Sequence, residues 1–252
     1  MIGDDFTTDK YEQLCKSLRE KYISATVLEY LEGLRSKKRF VVLRHDVDRF
    51  PKNALTMARL EHRMGIHATY YFRFPSTFKK EVMDDIAAMD HEIGYHYECF
   101  AKARGDIEKS IELFEKELSI VRDAGFPIKT ISAHGGSATY SSTDLWRDHD
   151  FREYGILGDA HLSLLPNHNL TYFSDTGRTW SSAAAKTIPP HSPRYIRRTD
   201  DLICQLRDEH YANYYLLVHP ERWASNNLQW MRSYFFDASV NAGKSLMSMA
   251  NR

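Results

Sequence analysis

Cysteine is scarce: Cys15, Cys99 and Cys204 are widely spaced in a chain of 252 residues and form no CxxC pair. That excludes a disulfide framework and reads as a reduced, cytoplasmic protein. An excess of either charge is also lacking, because 34 Lys and Arg balance 34 Asp and Glu. The balance argues against a general nucleic-acid or acidic-membrane surface, while leaving room for a local patch. No apolar run approaches the ~20 residues of a membrane span. The start, MIGDDFTTDKYEQL, is polar and acidic where a signal peptide is basic and then apolar. Neither GxGxxG nor GxxxxGKS/T occurs, which removes the common phosphate-cradling loops. Internal repeats, low-complexity blocks and obvious linkers are missing too, and with 42% hydrophobic and 13% aromatic residues the chain is most simply one domain, 1–252.

What is present is organised around Phe40 to Asp48, FVVLRHDVD, a short apolar run that ends abruptly in charge. A buried strand reads this way when it delivers polar groups to one mouth of a sheet. Side chains alternate along a strand, so Arg44, Asp46 and Asp48 share one face and His45 and Val47 the other. Two carboxylates so close together call for a cation between them, either a metal ion or a guanidinium from Arg44, Arg49 or Arg73.

Residues 7–36 carry Leu14, Leu18, Val27, Leu28 and Leu31 at helical spacing and predict one flanking helix. After the 40–48 strand, a helix from Pro51 to Met64 is expected, then strands at 66–74, 91–98, 128–135, 154–160, 170–177 and 214–223. Between them the pattern predicts helices at 76–89, 104–124, 142–149 and 199–210, a Pro-rich loop at Pro189, Pro190 and Pro193, and a helical tail. Such alternation implies an α/β fold with a mostly parallel sheet, either open and doubly wound or closed as an incomplete barrel. In both, active groups gather at the C-terminal strand ends.

Five of these strands finish in residues able to bind metal or move protons: Asp46 and Asp48, His96 and Glu98, His134, Asp175, and His219. One Asp and two neutral His are a common way to hold catalytic Zn²⁺ with positions left for water and substrate. Asp48, His96 and a second His would form that set, Asp46 would take a proton from water, and His219 would protonate a leaving group. The chemistry is hydrolysis of an ester or amide. Arg44 and Arg73 could clamp a carboxylate or phosphate of a substrate or, equally, neutralise Asp46 and Asp48. Trp180 and Trp223 are candidates for stacking on a sugar ring, with core packing the better expectation for a single Trp. Cys99 reads as a buried small hydrophobe. His149, His161, His168, His191 and His210 read as surface groups.

Across residues 40–223 the chain resembles, in motif order, the NodB-homology polysaccharide deacetylases of carbohydrate esterase family four. RHDVD is similar to the family's first motif, GIHATYYF to its second-strand GI-x-ATFF pattern, HEIGYH to HEIGNH, and LLVHP to its closing motif. The resemblance implies a distorted (β/α)7 barrel over 39–223, with the N-terminal helix (1–38) flanking it and a C-terminal helix (224–252) following. It implies removal of acetyl groups from sugars with one divalent ion, Zn²⁺ foremost and Mn²⁺, Co²⁺ or Ni²⁺ as alternatives. It also implies Asp46 as base, Asp48 and His96 as ligands and His219 as acid. In SDTGRTW, Asp175, Arg178 and Trp180 resemble in placement a motif where an Asp orients the base and a Trp walls the site.

The chain departs from the family at two points. Position 100 is Phe where a second ligand His falls, and SAHGG replaces RxPxG. His134 is therefore the expected replacement ligand, with Glu98 and His91 as weaker choices. His91 is out of phase with His96 and should face the helices. The reading that follows is a cytoplasmic metal-dependent deacetylase of an N-acylated sugar. Its expected substrate is a small-molecule, nucleotide-linked or lipid-linked precursor of a surface polysaccharide such as O-antigen, handled with no nucleic-acid partner. The alternatives are another amidohydrolase or a deformylase on the same fold, or a catalytically degenerate carbohydrate-binding or interaction protein.

Overall fold

The computed structural model describes residues 3–34, 39–135, 142–166, 169–180, 196–208 and 213–250. Gly136, Asn167, His168, the Pro-rich loop with His191, and His210 lie outside the described residues.

Helix α1 (Thr8–Lys21) opens under an Thr7 cap, whose side chain accepts from the Lys10 amide at 3.1 Å, and closes with Arg19 and Lys21 in its last turn. The single helix expected over 7–36 is instead helix, strand, helix. Strand β1 (Ile23–Ala25) intervenes before α2 (Val27–Leu31). Thr26 and Glu29 form a capping box that starts α2 afresh, and β1 is drawn into the sheet beside the first half of β2 (Phe40–Val47). Sequence periodicity could not register that pairing, because it joins segments separated by the 35–38 stretch.

The remaining strands are β3 (Thr69–Phe72), β4 (Glu92–Tyr97), β5 (Thr130–Ala133), β6 (Gly158–Asp159), β7 (Leu170–Ser174) and β8 (Asn213–Val218). Their spatial order is β6, β5, β4, β3, β2, β8, β7, and every neighbouring pair is parallel. Between the strands run α3 (Pro51–Arg63), α4 (Lys80–Ala87), α5 (Cys99–Lys102), α6 (Ile107–Asp123) and α7 (Thr199–Asp208), and α8 (Asn227–Ala250) ends the chain. The sheet curls into a distorted (β/α) barrel, with no strand pairing between β6 and β7 among the described residues. The 154–160 strand is shorter than expected, and the last expected strand stops at Val218 and gives way to a helical turn, Pro220–Arg222.

Strand alternation sorts the side chains into two cores. Inside the curl, Val42, Tyr71, Ala160, Leu164, Tyr172, Tyr215 and Leu217 pack with Val27 of α2. The amides that begin α2 are taken by the sheet: Val27 donates to Thr69 Oγ1 at 2.7 Å and Leu28 to Glu92 Oε2 at 3.0 Å. Outside, Tyr70, Tyr95, Ile131, Tyr214 and Leu216 meet the helices in the larger core. Gly94, facing inward beside His96, makes room for Tyr71: a Cβ there would lie 2.3 Å from the Tyr71 ring. Gly94→Ala should therefore cost about 1–3 kcal/mol by overpacking, read as a lower urea midpoint at unchanged slope.

Candidate functional site

At the C-terminal strand ends a cleft of about 490 Å³ is lined by Arg44, Asp46 and Asp48 from β2 and its exit, His96 from β4, His134 after β5, and His219 after β8. Five of the predicted catalytic and metal-binding residues therefore share one cavity, as does Arg44.

Beneath the cleft lies the Arg44–Asp46 pair. Arg44 Nε donates to Asp46 Oδ1 at 2.7 Å and Nη2 to Oδ2 at 2.6 Å. Arg44 also donates to Tyr215 Oη at 2.8 Å and to Ser132 Oγ at 2.5 Å. Burial opposes the charge on Asp46, but Arg44 and then His96 outweigh it and hold the carboxyl below its ordinary range. Arg44, expected either to clamp substrate or to neutralise the carboxylates, does the second: it is buried and committed to Asp46.

Two residues on, Asp48 Oδ1 is buried and accepts no hydrogen bond. It lies 3.3 Å from His96 Nε2 and 3.5 Å from His134 Nε2. The far side of each ring is anchored: His96 Nδ1 is 2.9 Å from the Ser132 carbonyl oxygen, and His134 Nδ1 is 3.3 Å from Glu98 Oε2. Outer contacts of this kind orient imidazoles for metal. Two donors bound to one Zn²⁺ at 2.0–2.1 Å in a tetrahedron stand about 3.3 Å apart, so both separations suit a shared small cation. Among the described residues no group of three or more His, Cys, Asp or Glu stands where it could hold a metal ion. By donor chemistry alone, the Asp48 oxygen without a hydrogen bond and the two anchored imidazoles are groups that a divalent ion takes. Burial, reinforced by His96, pushes His134 down to about 4, so it is neutral and ligand-competent at pH 7. His96 is raised, because Asp46 and Asp48 outweigh the burial that disfavours its charge.

On the opposite wall, Asp175 holds His219. Its Oδ1 is 2.6 Å from His219 Nδ1, and its Oδ2 accepts from the His219 amide at 2.9 Å and from Trp223 Nε1 at 3.0 Å. Burial and Arg222 disfavour charge on His219, yet the Asp175 carboxylate prevails and raises its pKa. Asp175 was expected to orient the base; it orients the His proposed as acid.

The remaining expectations divide between correction and agreement. Trp180 and Trp223 are 0% and 1% exposed, so neither can stack on a sugar. Both belong to the core, 6.1 Å apart, where Trp180 donates to Thr199 and Trp223 steadies Asp175. Arg178 is turned to α8, donating to Asp237 at 3.0 Å and Ser233 at 2.6 Å, and does not line the cleft. Arg73 pairs with Glu98 at 2.5 Å, which leaves its Nε without an acceptor. His91 sits in the outer core beside Glu61, as its phase on the strand predicts. Burial drives the Cys99 thiol up to about 12, consistent with an inert side chain.

Also lining the cleft are Arg49, weighed in the sequence only as a cation for the carboxylates, His161, read there as a surface group, and Tyr172, Glu221, Arg222 and Asp237, which were missed. Arg49 and Glu221 adjoin motif residues and were within reach of a reading by proximity; Asp237, on the tail helix, carried no signal. Glu221 is pushed up to about 7 by burial and by Asp48.

No protein-family model and no curated protein matches the sequence. Among solved structures, the chain is similar to a CE4 family pseudoenzyme from Bacillus anthracis, with a TM-score of 0.47 and 13% identity over 84% of this chain and 63% of that one. It is also similar to a Streptococcus mutans CE4 esterase, with a TM-score of 0.47 and 12% identity over 90% of this chain and 89% of that one. The chain thus spans less than two thirds of the pseudoenzyme's length.

Removing Arg44 would strand Asp46 as a buried, unpaired charge. Arg44→Met should cost about 3–5 kcal/mol in chemical denaturation, and Arg44→Met with Asp46→Leu should recover most of that loss.

Proposed function

We propose that the cleft is the active site of a metal-dependent hydrolase that removes an acyl group from the nitrogen of an N-acylated sugar. The observation that carries this reading is that His96 Nε2 and His134 Nε2 lie 3.3 and 3.5 Å from the same oxygen, Asp48 Oδ1, in a cleft also lined by a carboxylate-held His219. Asp48, His96 and His134 would hold one divalent ion, Zn²⁺ foremost. Such an ion, when bound, polarises an acyl carbonyl and acidifies water.

The chain's own residues do the rest. Asp46 stays ionised across the neutral range, and each of its oxygens keeps a lone pair beside its Arg44 bond, so it can accept the proton of the attacking water. His219, protonated and steadied by Asp175, gives its proton to the departing amine. The proposal extends to a nucleotide-linked or lipid-linked precursor of a surface polysaccharide as substrate, acted on in the cytoplasm. Acetate release from nucleotide-linked N-acetyl sugars, assayed against small cyclic amides and formamides, separates it from another amidohydrolase or a deformylase.

Metal content tests the core of the reading. Wild type should carry about one divalent ion per chain after Zn²⁺ addition and dialysis, whereas Asp48→Asn and His134→Ala should lose it. Asp46→Asn should retain the ion and lose turnover by at least about 100-fold. A wild type that takes up no metal would overturn the hydrolase reading in favour of a binding protein.

The acid role sets a pH dependence. His219 donates only when protonated, so kcat/KM should fall as pH rises through its pKa, above the ordinary 6.5. Asp175→Asn removes the interaction that raises it and should shift this alkaline limb down by about one unit. An unmoved limb would remove His219 from the acid role.

A further inference from the structure

Arg44 is committed to Asp46, and Arg73 to Glu98 with its Nε left over; the cleft holds two more arginines whose donors are not used up. Arg49 Nη2 reaches Glu221 Oε1 and Asp237 Oδ1 only at 3.5 Å, and its Nε and Nη1 are buried without an acceptor. Arg222 donates to Asp175 at 3.2 Å, and its Nε stands 3.6 Å from Asp237 Oδ2 with no hydrogen bond. Arg178, outside the cleft lining, is the third guanidinium on Asp237, and its Nη1 also lacks an acceptor. Three guanidiniums therefore meet at Asp237 of α8, with Glu221 also facing Arg49 and Asp175 facing Arg222, and four of their nitrogens are buried and unpartnered.

Buried donors normally find acceptors, and one exception is tolerable; four in one shell, left over after Asp237, Glu221 and Asp175 have taken what they take, give it capacity for another anion. Guanidinium forks match the oxygens of phosphate and carboxylate. The Arg49 fork is held flat, its Cζ 3.5 Å above the centre of the Phe236 ring, which leaves its edges for hydrogen bonding. The turn that places Arg49 is strained: Phe50, before Pro51, has φ +50 and is 60% exposed, so core packing does not explain its conformation.

We infer that Arg49 and Arg222, backed by Arg178, form a binding site for an anionic group of the substrate, a phosphate or a carboxylate, and that Asp237 is the internal carboxylate with which that group competes. The site's assignment to the substrate rests on the hydrolase reading; its capacity to bind an anion does not. An acylated sugar bearing such a group would be seated with the anion at the Arg49 rim of the same cleft that holds Asp46 and His219.

Calorimetric titration of metal-stripped protein at constant ionic strength, with inorganic phosphate in one arm and citrate in the other, tests the site. Wild type should bind one anion per chain, Arg49→Gln should bind it at least about tenfold more weakly, and Asp237→Asn should bind it more tightly. Binding of phosphate alone assigns a phosphorylated substrate, and binding of citrate alone a carboxylate-bearing one. The inference is overturned if wild type binds neither, if Arg49→Gln binds as wild type does, or if Asp237→Asn weakens binding. Thermal midpoints without anion check that each variant folds. If Arg49→Gln does not fold, Arg49→Lys, which keeps the charge and loses the fork, must still weaken binding. Because heat is read without metal or turnover, failure here leaves the hydrolase reading standing, and failure to take up metal leaves the anion site standing.

Discussion

The ion pair between Arg44 and Asp46 is the constraint on which the rest of the site depends. A carboxylate inside a curled sheet is tolerable only if a cation neutralises it and each of its oxygens accepts a hydrogen bond. Arg44 meets both needs from the same strand, and its remaining donors bind Ser132 on β5 and Tyr215 on β8, so one guanidinium joins three strands of the curl. A bond from Tyr215 to the Ala160 carbonyl at 2.9 Å carries the connection on to the residue after β6. With Asp46 thus held, strand geometry delivers Asp48 two residues later to the rim, where no second Arg44 is available and its Oδ1 goes unpartnered.

The same strand is equally polar on its outer face. His45 is fully buried, stacked on Tyr70 with ring centres 4.2 Å apart, and its Nε2 lies 2.7 Å from Glu61 Oε1 on α3. Tyr11 of α1 also donates to that oxygen, and Tyr70 donates to Glu61 Oε2 at 2.7 Å. Burial disfavours the Glu61 charge, but His45 outweighs it and lowers the carboxyl's pKa. These bonds use His45 Nε2 and both Glu61 oxygens, so β2 is tied to α1, α3 and β3 on its outer face as Arg44 ties it on the inner one. The cleft's carboxylates thus stand on a strand that is bonded through its side chains on both faces.

Polarity in the cleft is partitioned rather than pooled. Asp46 is satisfied by Arg44, Glu98 by Arg73, and Asp175 by His219 and Trp223, whereas Asp48 and the guanidiniums around Asp237 are each short of a partner. The first deficit suits a cation and the second an anion.

Much of this was legible in the sequence, and the boundary is physical. Period-two alternation and abrupt charge at strand ends are local signals, so the parallel α/β fold, the inward set of Arg44, Asp46 and Asp48, the outward His91, and the gathering of His96, His134 and His219 at one mouth were readable from residue order. Partner choice was not. Arg44 found Ser132 and Tyr215 at sequence separations of 88 and 171, Trp223 turned inward to Asp175, and the segment after Lys21 left the helix to pair with β2. These outcomes depend on which distant groups the closing sheet brings within bonding distance, and on the burial that forces each to find a partner. The amino-acid order determined which strand carries the charge and which way it points; only the tertiary structure decided which charges were satisfied and which were left to bind something else.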